Sequence, residues 1–138
     1  MGSTTHEKLT LRTERRTQLP KVTSIVEKAV EDSGCESGMC YLYVPHTTAG
    51  VIINEDDDPA VASDVERTLD QLIPKSEKYE HAEGNSDSHI KTALTATSTV
   101  IIIEDGKLLL GRWQGIFFCE FDGPRHRELW VKIRGDKN

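Results

Sequence analysis

The chain has 138 residues, 36% hydrophobic and 29% charged, with a formal net charge of −6. That length suits one domain with one real core, and the balance is that of an ordinary soluble protein. The negative charge argues against nucleic acid, which needs a basic face, but leaves room for a small phosphorylated ligand.

No apolar run approaches the ~18 residues of a membrane-spanning helix, so no membrane partner is expected. The opening MGSTTHEKLT lacks the apolar stretch of a signal peptide. Its MGSTTH has serine at position 3 rather than at the position a myristoylation signal uses. Cys35, Cys40 and Cys119 form no CxxC pair and suggest a reducing cytoplasm. Cys40 and Cys119 lie in strand-like runs and read as small buried apolar residues.

In chain order, KLTLRTERRT (8–17) alternates and predicts a first strand. LPKVTSIVEKAVEDSG (19–34) predicts a helix on Val22, Ile25, Val26, Ala29 and Val30, with Pro20 in its first turn and Gly34 at its stop. GMCYLYVPH (38–46) and GVIIN (50–54) predict two strands. DDDPAVASDVERTLDQLIP (56–74) is the clearest helix: Asp58 caps it, Pro59 opens it, Val61, Val65, Leu69 and Leu72 form its stripe, and Pro74 ends it.

A polar loop (75–85) leads to a short helix, SDSHIKTALTAT (86–97), capped by Ser86 or Asp87. The remainder is β-rich. Asp105-Gly106 and Asp122-Gly123 predict two linked hairpins. The pattern is α+β: a mostly antiparallel sheet with two longer helices and one short helix on one face.

Three of the five histidines fall in polar surroundings beside apolar segments: His46, His81 and His89. His89 lies in the first turn of the short helix, where the dipole disfavours imidazolium and keeps a ring available as a ligand. Three neutral imidazoles with an open fourth position make a catalytic zinc set. The spacing matches no short zinc motif, and on spacing alone three solvated loop histidines are the plainer reading.

Asn54 ends an apolar strand near His46 in sequence and is expected to point into the same pocket. A helix start explains Asp57 or Asp58 but not the whole acidic run Glu55–Asp58, which lacks calcium-loop spacing. On the strand after residue 113, Gln114, Ile116, Phe118 and Glu120 share one face. A glutamine and a glutamate there need partners if buried, and they would suit groups that orient histidines. A strand with wet ends explains them equally well. Arg125 and Arg127 stand two apart after a turn and could grip a phosphate, or simply end a hairpin in solvent.

HTTAGVIINEDDDP (46–59), YEHAEGNSDSHIKTAL (79–94) and LGRWQGIFFCEFDGPRHR (110–127) together resemble the UPF0047, or YjbQ, family across almost the whole chain. The resemblance implies a small cytoplasmic α+β domain spanning 1–138, assembled as a homotrimer. It implies a thiamine-phosphate synthase activity, joining a pyrimidine diphosphate to a thiazole phosphate with release of pyrophosphate.

It also implies site residues. These are His46, His81 and His89 as ligands of a divalent metal, zinc by this set; Glu120, Gln114 and Asn54 in catalysis; and Thr47, Asn85, Arg125 and Arg127 on substrate or phosphate. Trp113 belongs to the same pattern. Arg112 stands where a small residue is usual, and Ala96 where glycine is. The alternatives are a non-catalytic trimeric module binding a phosphorylated metabolite, and a metal-dependent hydrolase.

Overall fold

The computed structural model describes residues 3–76 and 79–137. The elements are β1 (Thr4–Arg12), α1 (Thr23–Ser33), β2 (Gly38–Tyr43), β3 (Ala49–Glu55), α2 (Pro59–Leu72), α3 (Ser86–Thr95), β4 (Ser98–Glu104), β5 (Lys107–Leu108), β6 (Gln114–Glu120) and β7 (His126–Gly135). Five strands form one sheet in the order β1-β7-β2-β4-β5, and β3 with β6 makes a separate ribbon. Every pairing is antiparallel.

Period-two alternation decides the layers. Cys40, Leu42, Ile101, Ile103, Leu129, Val131 and Ile133 point inward from the sheet. They meet Val26, Ala29 and Val30 of α1 and Val51, Ile116 and Phe118 of the ribbon. The opposite ribbon face, with Phe117 and Cys119, packs beside Leu19 and Phe121 against Ala62, Val65 and Leu69 of α2. All three cysteines are free and buried. Burial raises the Cys40 and Cys119 thiols to about 12, which leaves them inert. No helix among the described residues is long and apolar enough to cross a membrane.

The outer face of the sheet has no cover among the described residues: Tyr41, Tyr43, Val100 and Ile102 are each 43–49% exposed. β6, by contrast, is covered from inside. One edge pairs with β3, and the other is bridged by the extended residues 18–22, where the Val22 N–H donates to Ile116 O and the Phe118 N–H to Pro20 O.

Several expectations change. Pro20 lies in that bridging segment, and α1 starts at Thr23. β1 ends at Arg12, and Thr13 turns inward. Asp58 does cap α2, accepting from the Ala60 N–H at 2.9 Å, but Leu72 is 71% exposed past the end of the packed stripe. Asn85, not Ser86 or Asp87, is the N-cap of α3, and it makes no side-chain cap bond. The expected polar loop 75–85 is described except for Glu77 and Lys78, which lie outside the described residues.

Asp105-Gly106 does form a hairpin turn, both residues left-handed, with Glu104 opposite Lys107. Asp122-Gly123 does not. β6 pairs with β3, while β7 pairs with β1 and β2, so the chain crosses from ribbon to sheet there. Gly123 is needed for closeness: a Cβ on it would lie 2.3 Å from Arg15 O.

Candidate functional site

The crossing at 122–123 brings the end of β6 against the start of β7, and a buried ion pair joins them. Glu120 is fully buried and Arg127 is 5% exposed. The Arg127 Nε donates to Glu120 Oε1 at 2.8 Å, and its Nη2 donates to Oε2. Nη2 also reaches Thr48 Oγ1 at 2.8 Å. The Thr13 hydroxyl donates to Oε1 at 2.6 Å and the Asp122 N–H to Oε2 at 3.0 Å. Burial pushes the Glu120 carboxyl up, but these bonds outweigh it and hold the group below the usual carboxylate range. Glu120 stays ionised and fully occupied, which suits holding structure rather than moving a proton. Arg127 is equally engaged, so it does not join Arg125 in gripping a phosphate.

His46 sits just past β2. That strand ends at Tyr43 opposite Trp130, and Pro45 has no N–H to continue the ladder. The imidazole takes over: His46 Nε2 accepts the Glu128 N–H at 2.9 Å. This bond places the ring proton on Nδ1. Burial and the nearby Arg127 charge lower the His46 pKa, so the ring is neutral. Thr47 is exposed and Thr48 buried.

A second buried network anchors α3. Asp87 is fully buried and Lys91 is 1% exposed. Arg16 grips Asp87 through two bonds, 2.9 and 3.0 Å. Lys91 Nζ donates to Asp70 Oδ1 at 2.5 Å and Asp87 Oδ2 at 3.3 Å. The Ser88 hydroxyl donates to Phe121 O at 2.5 Å. Burial pushes Asp87 up, but the Arg16 and Lys91 interactions leave it below the usual range.

From the sequence Asp87 was a candidate cap of this helix, and the other members of the network were not singled out. The available signal was Asp87 and Lys91 at i,i+4 on a short helix otherwise poor in large apolar residues.

α3, so fixed, presents His89. Its ring lies 5.3 Å from that of His81, perpendicular to it. Both line an open depression of about 500 Å³ with Tyr79, Glu80, Ser86 and Ile90. His81 Nε2 is 3.7 Å from Glu83 Oε2. The adjoining Asn85 donates through Nδ2 to Asp122 Oδ2 at 3.0 Å, and its buried Oδ1 has no hydrogen-bond partner among the described residues. Asp122 also accepts from Arg125 Nη2 at 2.9 Å.

The remaining expected residues lie elsewhere. β3 and β6 are seven-residue strands, so their ends stand about 20 Å apart. Asn54 and Gln114 occupy one end, near the partners Glu55↔Gln114. Glu120 and Ala49 occupy the other, beside His46. Asn54 therefore does not share a pocket with His46 within the chain. Its Oδ1 accepts the Glu55 N–H at 2.8 Å, while Gln114 Oε1 accepts the Gly111 N–H at 2.7 Å. Trp113 is 50% exposed, with the Arg112 guanidinium 4.8 Å over its ring.

His81 and His89 suit two positions of a zinc set. The third expected ligand does not join them, because its Nε2 already accepts a backbone proton. Among the described residues, no three His, Cys, Asp or Glu side chains gather to hold a metal ion.

The comparisons agree with the fold. A profile described as UPF0047 protein YjbQ-like matches residues 7–136. UPF0047 protein MJ1081 of Methanocaldococcus jannaschii is 52% identical over 130 residues, 94% of each chain. UPF0047 protein YugU of Bacillus subtilis is 43% identical over 128 residues, 92% of this chain and 97% of that one.

A crystal structure of an uncharacterised conserved protein from Clostridium acetobutylicum superposes with a TM-score of 0.90 at 50% identity, covering 92% of this chain and 98% of that one. A protein of unknown function from Sulfolobus solfataricus gives 0.94 at 29% identity, covering 99% and 100%. With these matches over nearly its full length, the chain belongs to the UPF0047 YjbQ-like family.

Proposed function

We propose that this chain is a small-molecule enzyme acting on a phosphorylated substrate, with its site at the depression over His81 and His89. The observation that supports this most is the pairing of two imidazoles, perpendicular and 5.3 Å apart, on the wall of a concavity. Zinc is the metal such ligands favour, and it would supply charge to stabilise a departing pyrophosphate or to activate water.

His81 and His89 would be two of its ligands, and among the described residues no third His, Cys, Asp or Glu side chain gathers with them. Arg125, 52% exposed along its side chain, offers charge to phosphate beside Asn85, since both bind Asp122, and Thr47 offers an exposed hydroxyl. His46 and Glu120 shape the support beneath, with no proton transferred by Glu120. Gln114 and Asn54, at the opposite end of the ribbon, do not reach this depression within the chain. The reaction in view is the thiamine-phosphate synthase type: a carbon–nitrogen bond forms between a pyrimidine methylene and a thiazole nitrogen as pyrophosphate leaves. The working unit is a homotrimer, supported by the apolar outer sheet face, where Tyr41 and Val100 are cross-strand partners and both nearly half exposed. Unpaired cysteines fit a cytoplasmic setting.

One observation favours a second reading, a non-catalytic module for a phosphorylated metabolite. Glu120, Asp87 and Asp122 are all carboxylates held below their usual range, and none is poised as a general acid.

The deciding experiment is the metal content of purified protein with wild type and His89→Ala, followed by turnover of the pyrimidine diphosphate and thiazole phosphate pair. Stoichiometric zinc lost in the variant, together with zinc-dependent product, is the expected result. Zinc-independent ligand binding with no product gives the field to the binding module.

A further inference from the structure

α3 has a second face that the proposed site does not use. Residues four apart on a helix lie together, so Asp87 and Lys91 share a face, and His89, two residues from each, lies opposite. Beside the Asp87 face is a cavity of about 290 Å³, lined by Arg16, Thr17, Asp70, Lys75, Asp87 and Lys91. It shares no lining residue with the depression over His81 and His89. We infer that this cavity binds a small phosphate-type oxyanion, which replaces the Asp70 carboxylate on Lys91.

Charge decides the class of ligand. The lining holds three cations, Arg16, Lys75 and Lys91, against two carboxylates, Asp70 and Asp87. Arg16 neutralises Asp87 through two bonds, 2.9 and 3.0 Å. Its other neighbour, Asp122 at 4.0 Å, is already bound by Arg125 and Asn85. Lys91 Nζ is paired with Asp70 Oδ1. Lys75, exposed on the rim, has no ion-pair partner among the described residues. The lining thus carries one positive charge in excess, in a chain of net charge −6. With Asp70 turned away the excess is two, which matches a phosphate monoester at neutral pH, about −1.5 to −2. The volume lies at the small end of ligand pockets, about 300–1,000 Å³, and suits a phosphate or a short monoester.

Asp70 is the exchangeable member. Its side chain is 49% exposed, whereas those of Lys91 and Asp87 are 1% and 0% exposed. Lys91 is fixed, with its Nζ 6.0 Å from the centroid of the Phe121 ring. A buried ammonium stripped of its anion is strongly unfavourable. Asp70 therefore leaves only when another anion takes over its bonds. Its Oδ1 alone accepts from both the Lys91 ammonium and the Thr17 hydroxyl, at 2.5 and 2.9 Å. A phosphate group brings separate oxygens for Lys91, Thr17 and Lys75, and charge-assisted bonds to two ammonium groups.

The test is a titration with inorganic phosphate, and separately with glycerol phosphate, at neutral pH and constant ionic strength, followed by amide NMR. Saturating shifts at Thr17, Asp70, Lys75 and Lys91 are expected. Tighter binding of glycerol phosphate marks the ligand as a monoester, and equal binding marks it as the free ion; both keep the site. Asp70→Asn retains an oxygen for Lys91 and Thr17 but removes the competing charge, so phosphate should bind about 10-fold tighter. Lys75→Met, a change on the exposed rim, should weaken binding by about 10-fold. His89→Ala should bind as wild type does, which separates this cavity from the depression on the other face of α3. Equal affinities in wild type, Asp70→Asn and Lys75→Met overturn the inference. Shifts that never saturate also overturn it, as do shifts confined to Asn85, His89 and Arg125, which place the phosphate at the depression instead.

Discussion

The backbone N–H of Glu128 is bound by the side chain of His46, at 2.9 Å, where Pro45, two residues past the end of β2, would fall in the β2–β7 register. One imidazole thus ends a strand ladder and holds the 44–48 loop, with Thr48, against Arg127. The bond needs a deprotonated Nε2. His46 should titrate below its ordinary value, with burial the larger cause and Arg127 the next. The unfolded chain then takes up this proton first as pH falls. Stability from His46 is complete above the ordinary histidine value, about 6.5, and is lost as pH falls from there through the folded value. NMR should show the His46 ring and the Glu128 amide moving with one shared midpoint. A midpoint at or above that of free histidine contradicts the geometry.

The Glu120–Arg127 pair makes a quantitative prediction. Arg127→Met leaves a fully buried carboxylate without its main partner, and should cost about 3–5 kcal/mol in urea unfolding. Glu120→Gln strands the guanidinium and should cost a similar amount. The double variant should cost clearly less than the two losses added together, because each single loss is mainly the penalty of an unpaired charge. Additive losses mean the two groups act separately.

Acid should unfold the protein through three carboxylates. Burial raises Glu120, Asp87 and Asp122, but hydrogen bonds from Arg127 and Thr13, from Arg16, and from Asn85 and Arg125 respectively hold all three below their usual range. Their stabilisation is fully present above the ordinary carboxylate values, about 4, and disappears as pH falls through the lower folded values. Unfolding free energy measured against pH should fall there, after the separate His46 decline. Asp87→Asn should lose stability at neutral pH and show a shallower acid slope. An unchanged slope removes Asp87 from the account.

What the sequence could show depended on how local the cause was. The Asp58 cap, the Asp105-Gly106 hairpin and the shared face of Ile116 and Phe118 on β6 follow from neighbours in the chain, and were legible. The histidine pair on α3 and the loop before it was visible as residues in a polar stretch. The partners of Asp87 and Lys91 were not, because Arg16, which binds Asp87, and Asp70, which binds Lys91, come from distant segments that only the packed layers bring together. The separation of Asn54 and Gln114 from Glu120 was overlooked because alternation tells which face a residue takes and says nothing of how far apart two residues on that face lie. Asp122-Gly123 misled for another reason. The dipeptide is a turn signal, but both edges of β6 were already occupied, so the turn could not close a hairpin.

Two glycines test that distinction. Gly34 has φ +69° at the end of α1 with nothing within 4 Å of a Cβ. Alanine there should cost only the left-handed penalty, about 1–2 kcal/mol. Gly123 has no such φ, but its Cβ would lie 2.3 Å from Arg15 O, 2.8 Å from Glu120 Cγ and 2.9 Å from Thr13 Oγ1. Alanine there must push the chain away from the Glu120–Arg127 pair, and should cost more than about 3 kcal/mol. Amide shifts of Thr13, Asp122 and Arg125 should move with it, while those around Gly34 stay put. If Gly123→Ala costs no more than Gly34→Ala, the crossing is looser than described, and the ion pair beneath it is not what holds β6 to β7.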